Sequence, residues 1–217
     1  MLRHALAPVM PRAAHDLRIA RTLPPRASGV ALTFDDGPHP EGTPAVLDAL
    51  ARAGLRATFF LIGEQVDRRP ELAREIASQG HLVAVHGYRH RLQMRLSADQ
   101  LGSDLERALE TIQAATGVKP RYHRPPYGVY SPAGLTLTTG LGLKPLLWSR
   151  WGKDWRRFTT PTRIASRATR NLGPGDVILL HDADYYSAPN SHRRTVEALR
   201  LIISELRRLE IGTVLPA

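Results

Sequence analysis

From Val30 to Leu215 the chain alternates short apolar runs with longer amphipathic segments, and few folds accept that alternation. The runs are Val30-Ala31-Leu32 leading into Thr33-Phe34, Thr58 to Ile62, His81 to Val85, Arg121 to Arg124, Pro145 to Trp148, Asp176 to Leu180 and Ile211 to Leu215. Each is too short for a helix and reads as a buried strand. The segments between them carry helix signals. Thr43-Pro44 offers a hydroxyl cap and a first-turn proline, and Gly54 follows Ala53 as a stop. Pro70 to Gln79 is closed by Gly80, and Ser97-Ala98-Asp99-Gln100 is a capping box that opens a helix to Gly117. Ser131-Pro132 starts another helix, and Pro161 to Leu172 and Arg193 to Arg208 complete the set. About seven βα units with short connections predict parallel strands wrapped by helices, as a barrel or an open sheet. A chain of 217 residues fits a single such domain.

In parallel α/β folds chemistry gathers at the C-terminal ends of the strands. The singular polar residues of this chain fall there. Asp35 and Asp36 follow the first strand, His86 the third, Arg124 the fourth, Asp154 the fifth and His181 the sixth. Adjacent residues on a strand point to opposite faces, and past its end Gly37-Pro38 turns the chain. One acid can therefore hold a metal while the other faces a substrate. His86 and His90, four residues apart, would share one face of a helical turn and can ligate one ion. The chain has no cysteine, so a metal site must use His, Asp or Glu. Asp36 with two histidines leaves coordination positions open for water and substrate. Asp35 could then accept a proton from water, His181 could protonate a leaving group, and Arg124 could hold Asp35 ionised. The reaction class is metal-assisted hydrolysis of an amide or ester.

Composition narrows the partners. The formal net charge is +10, but Lys and Arg are scattered among acids, as in Glu71-Leu72-Ala73-Arg74-Glu75. No nucleic-acid partner is expected from that pattern. No apolar stretch reaches the ~20 residues of a membrane span. Residues 1–29 read as a basic arm ahead of a domain at 30–217, able to pack on the barrel or touch a membrane surface. The arm does not read as a signal peptide, because Pro8 interrupts a short apolar run. A cytoplasmic monomer of bacterial origin is the expectation.

The residues reach a family at this point. Thr33-Phe34-Asp35-Asp36-Gly37-Pro38, His86-Gly87-Tyr88-Arg89-His90, Arg124-Pro125-Pro126-Tyr127-Gly128, Asp154-Trp155 and Leu179-Leu180-His181-Asp182 stand in one order along the chain. In this the chain resembles the polysaccharide deacetylases, the NodB-type family 4 carbohydrate esterases. The resemblance implies a deformed (β/α) barrel with seven or eight strands and a divalent metal, usually zinc, with cobalt, manganese or nickel as substitutes. It implies Asp35 as catalytic base, Asp36, His86 and His90 as metal ligands, His181 as general acid and Arg124 as the residue that orients Asp35. On the substrate side it implies the Tyr127 backbone N–H at the oxyanion, Trp155 and Leu179 around the acetyl methyl, and Asp154 nearby. The implied substrate is an N-acetylated amino-sugar oligo- or polysaccharide.

Two positions depart from the family pattern. Gly87 stands where a hydroxyl residue usually braces the metal loop. Trp151 stands where a further acid usually precedes Asp154, so the acid that tunes His181 is expected to be missing or supplied by Asp182 or Asp184. These departures keep a carbohydrate-binding pseudoenzyme open as an alternative. A deformylase or deacylase of a lipid-linked amino sugar is the alternative within the enzyme class. Tyr185 and Tyr186 are candidates to stack on a sugar ring. His39, His81 and His123 read as packing or surface groups, and Trp148 reads as core.

Overall fold

A computed structural model describes residues 19–217. Seven strands form one parallel sheet in the order β5-β4-β3-β2-β1-β7-β6. They are β1 (Ala31–Asp35), β2 (Thr58–Leu61), β3 (Leu82–Val85), β4 (Tyr122–His123), β5 (Lys144–Pro145), β6 (Arg150–Trp151) and β7 (Val177–His181). Seven helices flank it among the described residues: α1 (Gly42–Ala53), α2 (Gly63–Arg68), α3 (Pro70–Ser78), α4 (Ala98–Thr116), α5 (Pro132–Gly140), α6 (Pro161–Thr169) and α7 (Ser191–Arg208). The sheet curls into a half-barrel with helices on its convex side, the deformed (β/α) barrel that the family resemblance implies. No helix among the described residues is long and apolar enough to cross a membrane.

The strands read as continuous apolar runs because both faces are buried. The two faces nevertheless do different work. Leu32, Phe34, Phe59, Leu61, Val83, Val85, Ile178 and Leu180 point outward into the main core under the helices. Phe34 and Phe59 stack there with ring centroids 5.2 Å apart. The alternate residues point into the barrel. Ala31, Phe60, Ala84, Tyr122, Leu146 and Val177 make a smaller core that floors it. The register is Ala31↔Val177, Thr33↔Leu179 and Asp35↔His181. A single period-2 row therefore starts apolar and ends with a carboxylate beside an imidazole.

Several expectations shift at the edges. The strand expected at Ile211 to Leu215 is one isolated bridge between Val30 and Thr213. The runs at Arg121 to Arg124 and Pro145 to Trp148 shrink to two-residue strands, β4 and β5, flanked or occupied by prolines that donate no ladder bond. The polar β6 and the short α2 carry no periodic signal and were not foreseen. Thr43 does not cap α1, which begins at Gly42. Its hydroxyl accepts the His39 N–H at 2.7 Å and donates to Asp182 instead. Of the basic arm, residues 1–18 lie outside the described residues. Residues 19–29 are no free tail: Ile19 packs on Tyr130 and Leu147, and Leu23 joins the barrel floor.

The capping box stands as read. The Ser97 hydroxyl accepts the Gln100 N–H at 3.2 Å, and Gln100 Oε1 accepts the Ser97 N–H at 3.1 Å. Ser97→Ala is expected to lower stability by about 1 kcal/mol in urea unfolding, the usual cost of a lost cap.

Candidate active site

Asp35 is the last residue of β1, and its carboxylate is fixed from below. The Arg124 Nη1 donates to Asp35 Oδ1 at 2.7 Å and to Thr33 Oγ1 at 2.8 Å. Arg124 Nε and Nη2 donate to the Leu146 and Leu147 carbonyls at 3.0 and 2.8 Å. The guanidinium is fully buried and lies 4.0 Å over the Phe60 ring. One oxygen of Asp35 is thus held, and the other faces the pocket.

Asp36 would face away from Asp35 if the strand continued. Instead its φ is +81°, a conformation that costs a non-glycine residue about 1–3 kcal/mol. That turn brings both carboxylates to one cavity. Asp36 Oδ1 sits 3.4 Å from His86 Nε2 and 3.3 Å from His90 Nε2. It is buried and accepts no hydrogen bond. The burial of Asp36 works to raise its carboxyl, but its interactions with the His90, His86 and His181 imidazoles outweigh burial and hold it well below the carboxylate range.

The histidine pair does not lie on a helical turn, as the spacing suggested. Residues 86–92 are a loop. His86 Nδ1 lies 2.7 Å from the Arg124 carbonyl, which can only accept, so Nδ1 carries the proton and Nε2 keeps its lone pair. Burial, the main cause, lowers His90 to about 4, which leaves its imidazole neutral at pH 7. Donor atoms on a tetrahedral ion with bonds of ~2.0–2.1 Å stand roughly 3.3 Å apart. The separations at Asp36 match that spacing, its unbonded oxygen is buried between two imidazoles, and the trio fits a divalent metal.

Gly87 needs no hydroxyl brace. Its φ is +98°, and a Cβ there would approach Asp104 Oδ2 to 3.2 Å. Asp104, from α4, supplies the brace. Its Oδ2 accepts the Tyr88 N–H at 2.7 Å, and its Oδ1 accepts from Arg91 at 2.7 Å. The first N–H groups of α2 add to it, Gly63 donating to the Gly87 carbonyl and Glu64 to the Tyr88 carbonyl. The family hydroxyl is replaced by a carboxylate from a neighbouring helix.

His181 closes the opposite wall. The acid behind it is Asp154 itself, not a residue at 151, 182 or 184. Asp154 is fully buried, with Oδ1 2.9 Å from His181 Nδ1. Its Oδ2 accepts the His181 N–H and the Thr195 hydroxyl, both at 2.8 Å. Asp154, grouped with the substrate-facing residues by resemblance, therefore stands behind the imidazole. Burial works to lower the His181 imidazolium. The Asp154 charge and hydrogen bond, with the Asp36 and Asp35 charges, more than reverse that and raise it to about 10.

These groups face one cavity. Leu179, Trp155, Trp151, Trp148, Tyr127 and Gly128 line its apolar side. Leu179 shares a strand face with His181 two residues on, and the Trp155 ring meets the His181 ring edge-on at 5.6 Å. Trp148 is half-buried and packs on the barrel floor, and its indole also reaches the cavity because Gly128, with φ of +70°, has no Cβ to stop it. Tyr186 stacks on His90, rings 4.1 Å apart, rather than standing free for a sugar. Asp104 and Thr195 escaped sequence reasoning because they act from helices outside the motifs.

A second cluster looks similar by type alone. His39, Asp184 and His192 lie together, with His39 Nε2 3.3 Å from Asp184 Oδ1. However, His39 Nδ1 accepts the N–H groups of Glu41 and Gly42 at 3.2 and 2.9 Å. Its proton is therefore on Nε2, aimed at Asp184, and that nitrogen has no lone pair for an ion. The cluster ties the 182–190 loop to α7. His81 and His123 are likewise buried packing groups.

Residues 23–146 match the family model described as polysaccharide deacetylase. The chain belongs to the polysaccharide deacetylase family. It is 36% identical over 186 residues to a chitooligosaccharide deacetylase of Bradyrhizobium, covering 82% of this chain and 84% of that protein. It is 35% identical over 179 residues to a peptidoglycan-N-acetylglucosamine deacetylase of Bacillus cereus, covering 82% of this chain but spanning only 63% of the relative. Among solved structures, a peptidoglycan N-acetylglucosamine deacetylase superposes with a TM-score of 0.83 at 32% identity, covering 90% of this chain and 89% of that one.

Two outcomes follow from the braced loop. Asp104→Ala is expected to weaken divalent metal affinity about 10- to 100-fold, read by competition with a chromophoric chelator. Gly87→Ser is expected to destabilise the protein by about 1–3 kcal/mol in chemical unfolding, because its backbone favours glycine.

Proposed function

We propose that this polysaccharide deacetylase removes N-acetyl groups from an amino-sugar oligo- or polysaccharide. The observation that carries the reading is the convergence, on one cavity, of a held carboxylate, a charged imidazole and a metal-fitting trio. Asp36, His86 and His90 would hold the ion, zinc being the expected one. A divalent ion there supplies Lewis acidity to the acetamide carbonyl and to water.

The chain's own residues do the rest. Arg124 holds Asp35 Oδ1, so that Oδ2 is aimed at the water that attacks. Asp35 takes that water's proton as the new C–O bond forms. The Tyr127 N–H stands at the oxyanion, on a backbone turned by its φ of +63°. Leu179 and Trp155 enclose the acetyl methyl, which excludes bulkier acyl groups. His181, charged because Asp154 stands behind it, gives its Nε2 proton to the departing nitrogen as the C–N bond breaks. Acetate and a free amine result, and water has supplied the oxygen. The Gly87 and Trp151 departures argued for a non-catalytic reading, and Asp104 and Asp154 offer physical substitutes for both missing groups.

The test is acetate release from chitooligosaccharide by metal-stripped and zinc-reconstituted protein. Release is expected only with metal, and Asp35→Asn is expected to lower kcat by about 10²- to 10⁴-fold, the usual contribution of a general base. Undiminished release by stripped protein or by Asp35→Asn would contradict the assignment. The pH profile tests His181. Its imidazolium, raised to about 10, is the working form below that pH and is lost above it. Asp154→Asn removes the charge that raises it, so the alkaline limb of kcat is expected to move toward neutral pH.

A further inference from the structure

Beside the catalytic cavity lies a second, more open groove. Trp155, Tyr186 and Ser187 line both, so the two are continuous. The groove has two walls, the 155–158 segment and the 186–189 loop, joined by a hydrogen bond from Ala188 N–H to the Trp155 carbonyl at 3.1 Å. Arg156, Arg157 and Arg194 line it, and none of its lining residues is acidic. Arg194 is half-buried, and Arg156 and Arg157 are exposed. These three have no ion pair among the described residues. Arg194 is steadied by its bond from Nη2 to the Arg156 carbonyl at 3.2 Å, while its Nε is buried and has no acceptor. Phe158 stands at the lip, 86% exposed, with the Arg157 guanidinium 5.5 Å from its ring.

An aromatic lip, unpaired guanidiniums and continuity with the catalytic cavity are the parts of an oxyanion subsite on a carbohydrate. Guanidinium forks suit carboxylate and phosphate, and a planar ring suits the apolar face of a pyranose. Building on the deacetylase reading, we propose that this groove holds a substrate sugar next to the deacetylated one, and that it selects glycans in which that sugar carries an oxyanion substituent. The role is specificity: the anion sits outside the reacting cavity and positions the chain through it. A neutral chitooligosaccharide fills the same groove without using the charges.

Binding tests this without turnover. Calorimetry would compare three tetrasaccharides of alternating N-acetylated sugars: one with carboxylate substituents on alternate sugars, the same compound with those carboxylates amidated, and one with phosphate in their place. The carboxylate or the phosphate compound is expected to bind about 10-fold or more tighter than the amide, and which one does identifies the anion. The ratio is expected to fall as salt rises from 50 to 500 mM, since the guanidiniums are partly exposed. Arg156 and Arg157 have exposed side chains, so the double variant R156Q/R157Q should fold, and in it the ratio is expected to approach one; Arg194→Gln is the independent second variant. Equal affinity for all three compounds, or a ratio that survives in both variants, would overturn the proposal. Selective binding without acetate release from any compound would support the groove while refuting the catalytic reading, so the two failures are distinguishable.

Discussion

The structure depends on one buried guanidinium. Arg124 fills the barrel where a wholly apolar interior would need another large side chain, and its hydrogen bonds tie β1 to the segment after β5. A buried arginine is costly unless each donor is met, and removing one partner of such a pair costs about 3–5 kcal/mol. Here its partners are a threonine, an aspartate and two carbonyls, all on the inner face. The same bond that makes the charge tolerable points Asp35 into the cavity. Its own carbonyl, meanwhile, fixes the tautomer of His86. One side chain and its backbone thus set both the carboxylate and one imidazole.

The rest of the site follows from strand periodicity. Outward residues of β1, β2, β3 and β7 are uniformly apolar and spend themselves on the helical core. The inward row runs from Ala31 through Thr33 to Asp35, and in register from Val177 through Leu179 to His181. A site at the top of such a row is positioned by the whole sheet, so it does not rely on loop order. The loop that does contribute ligands, at residues 86–90, is clamped by Asp104 and by the start of α2.

Much of this was legible in the chain, because its signals are local. The apolar runs, the capping box at Ser97 and the polar residues after each strand all announce themselves within a few positions. What escaped is what acts across the fold. Spacing suggested that His86 and His90 share a helical turn, but Gly87 and the buried Asp104 hold them on a loop instead. The lack of an acid at Trp151 suggested a His181 tuned by Asp182, by Asp184 or by no acid, yet Asp154 reaches it directly, oriented by Thr195 from α7. Thr43 looked like a cap and proved to bridge His39 and Asp182. Each miss involves a side chain that satisfies a distant partner rather than its own backbone, and no periodicity encodes that.

The central claim is that Asp36, His86 and His90 form the metal site of this chain. The most direct measurement is a crystal structure grown with zinc, with data collected at the zinc absorption edge. A single strong anomalous peak between Asp36 Oδ1 and the two Nε2 atoms is the predicted result. A peak at His39, Asp184 and His192 with none at that trio, or no protein-bound zinc at all, would contradict it.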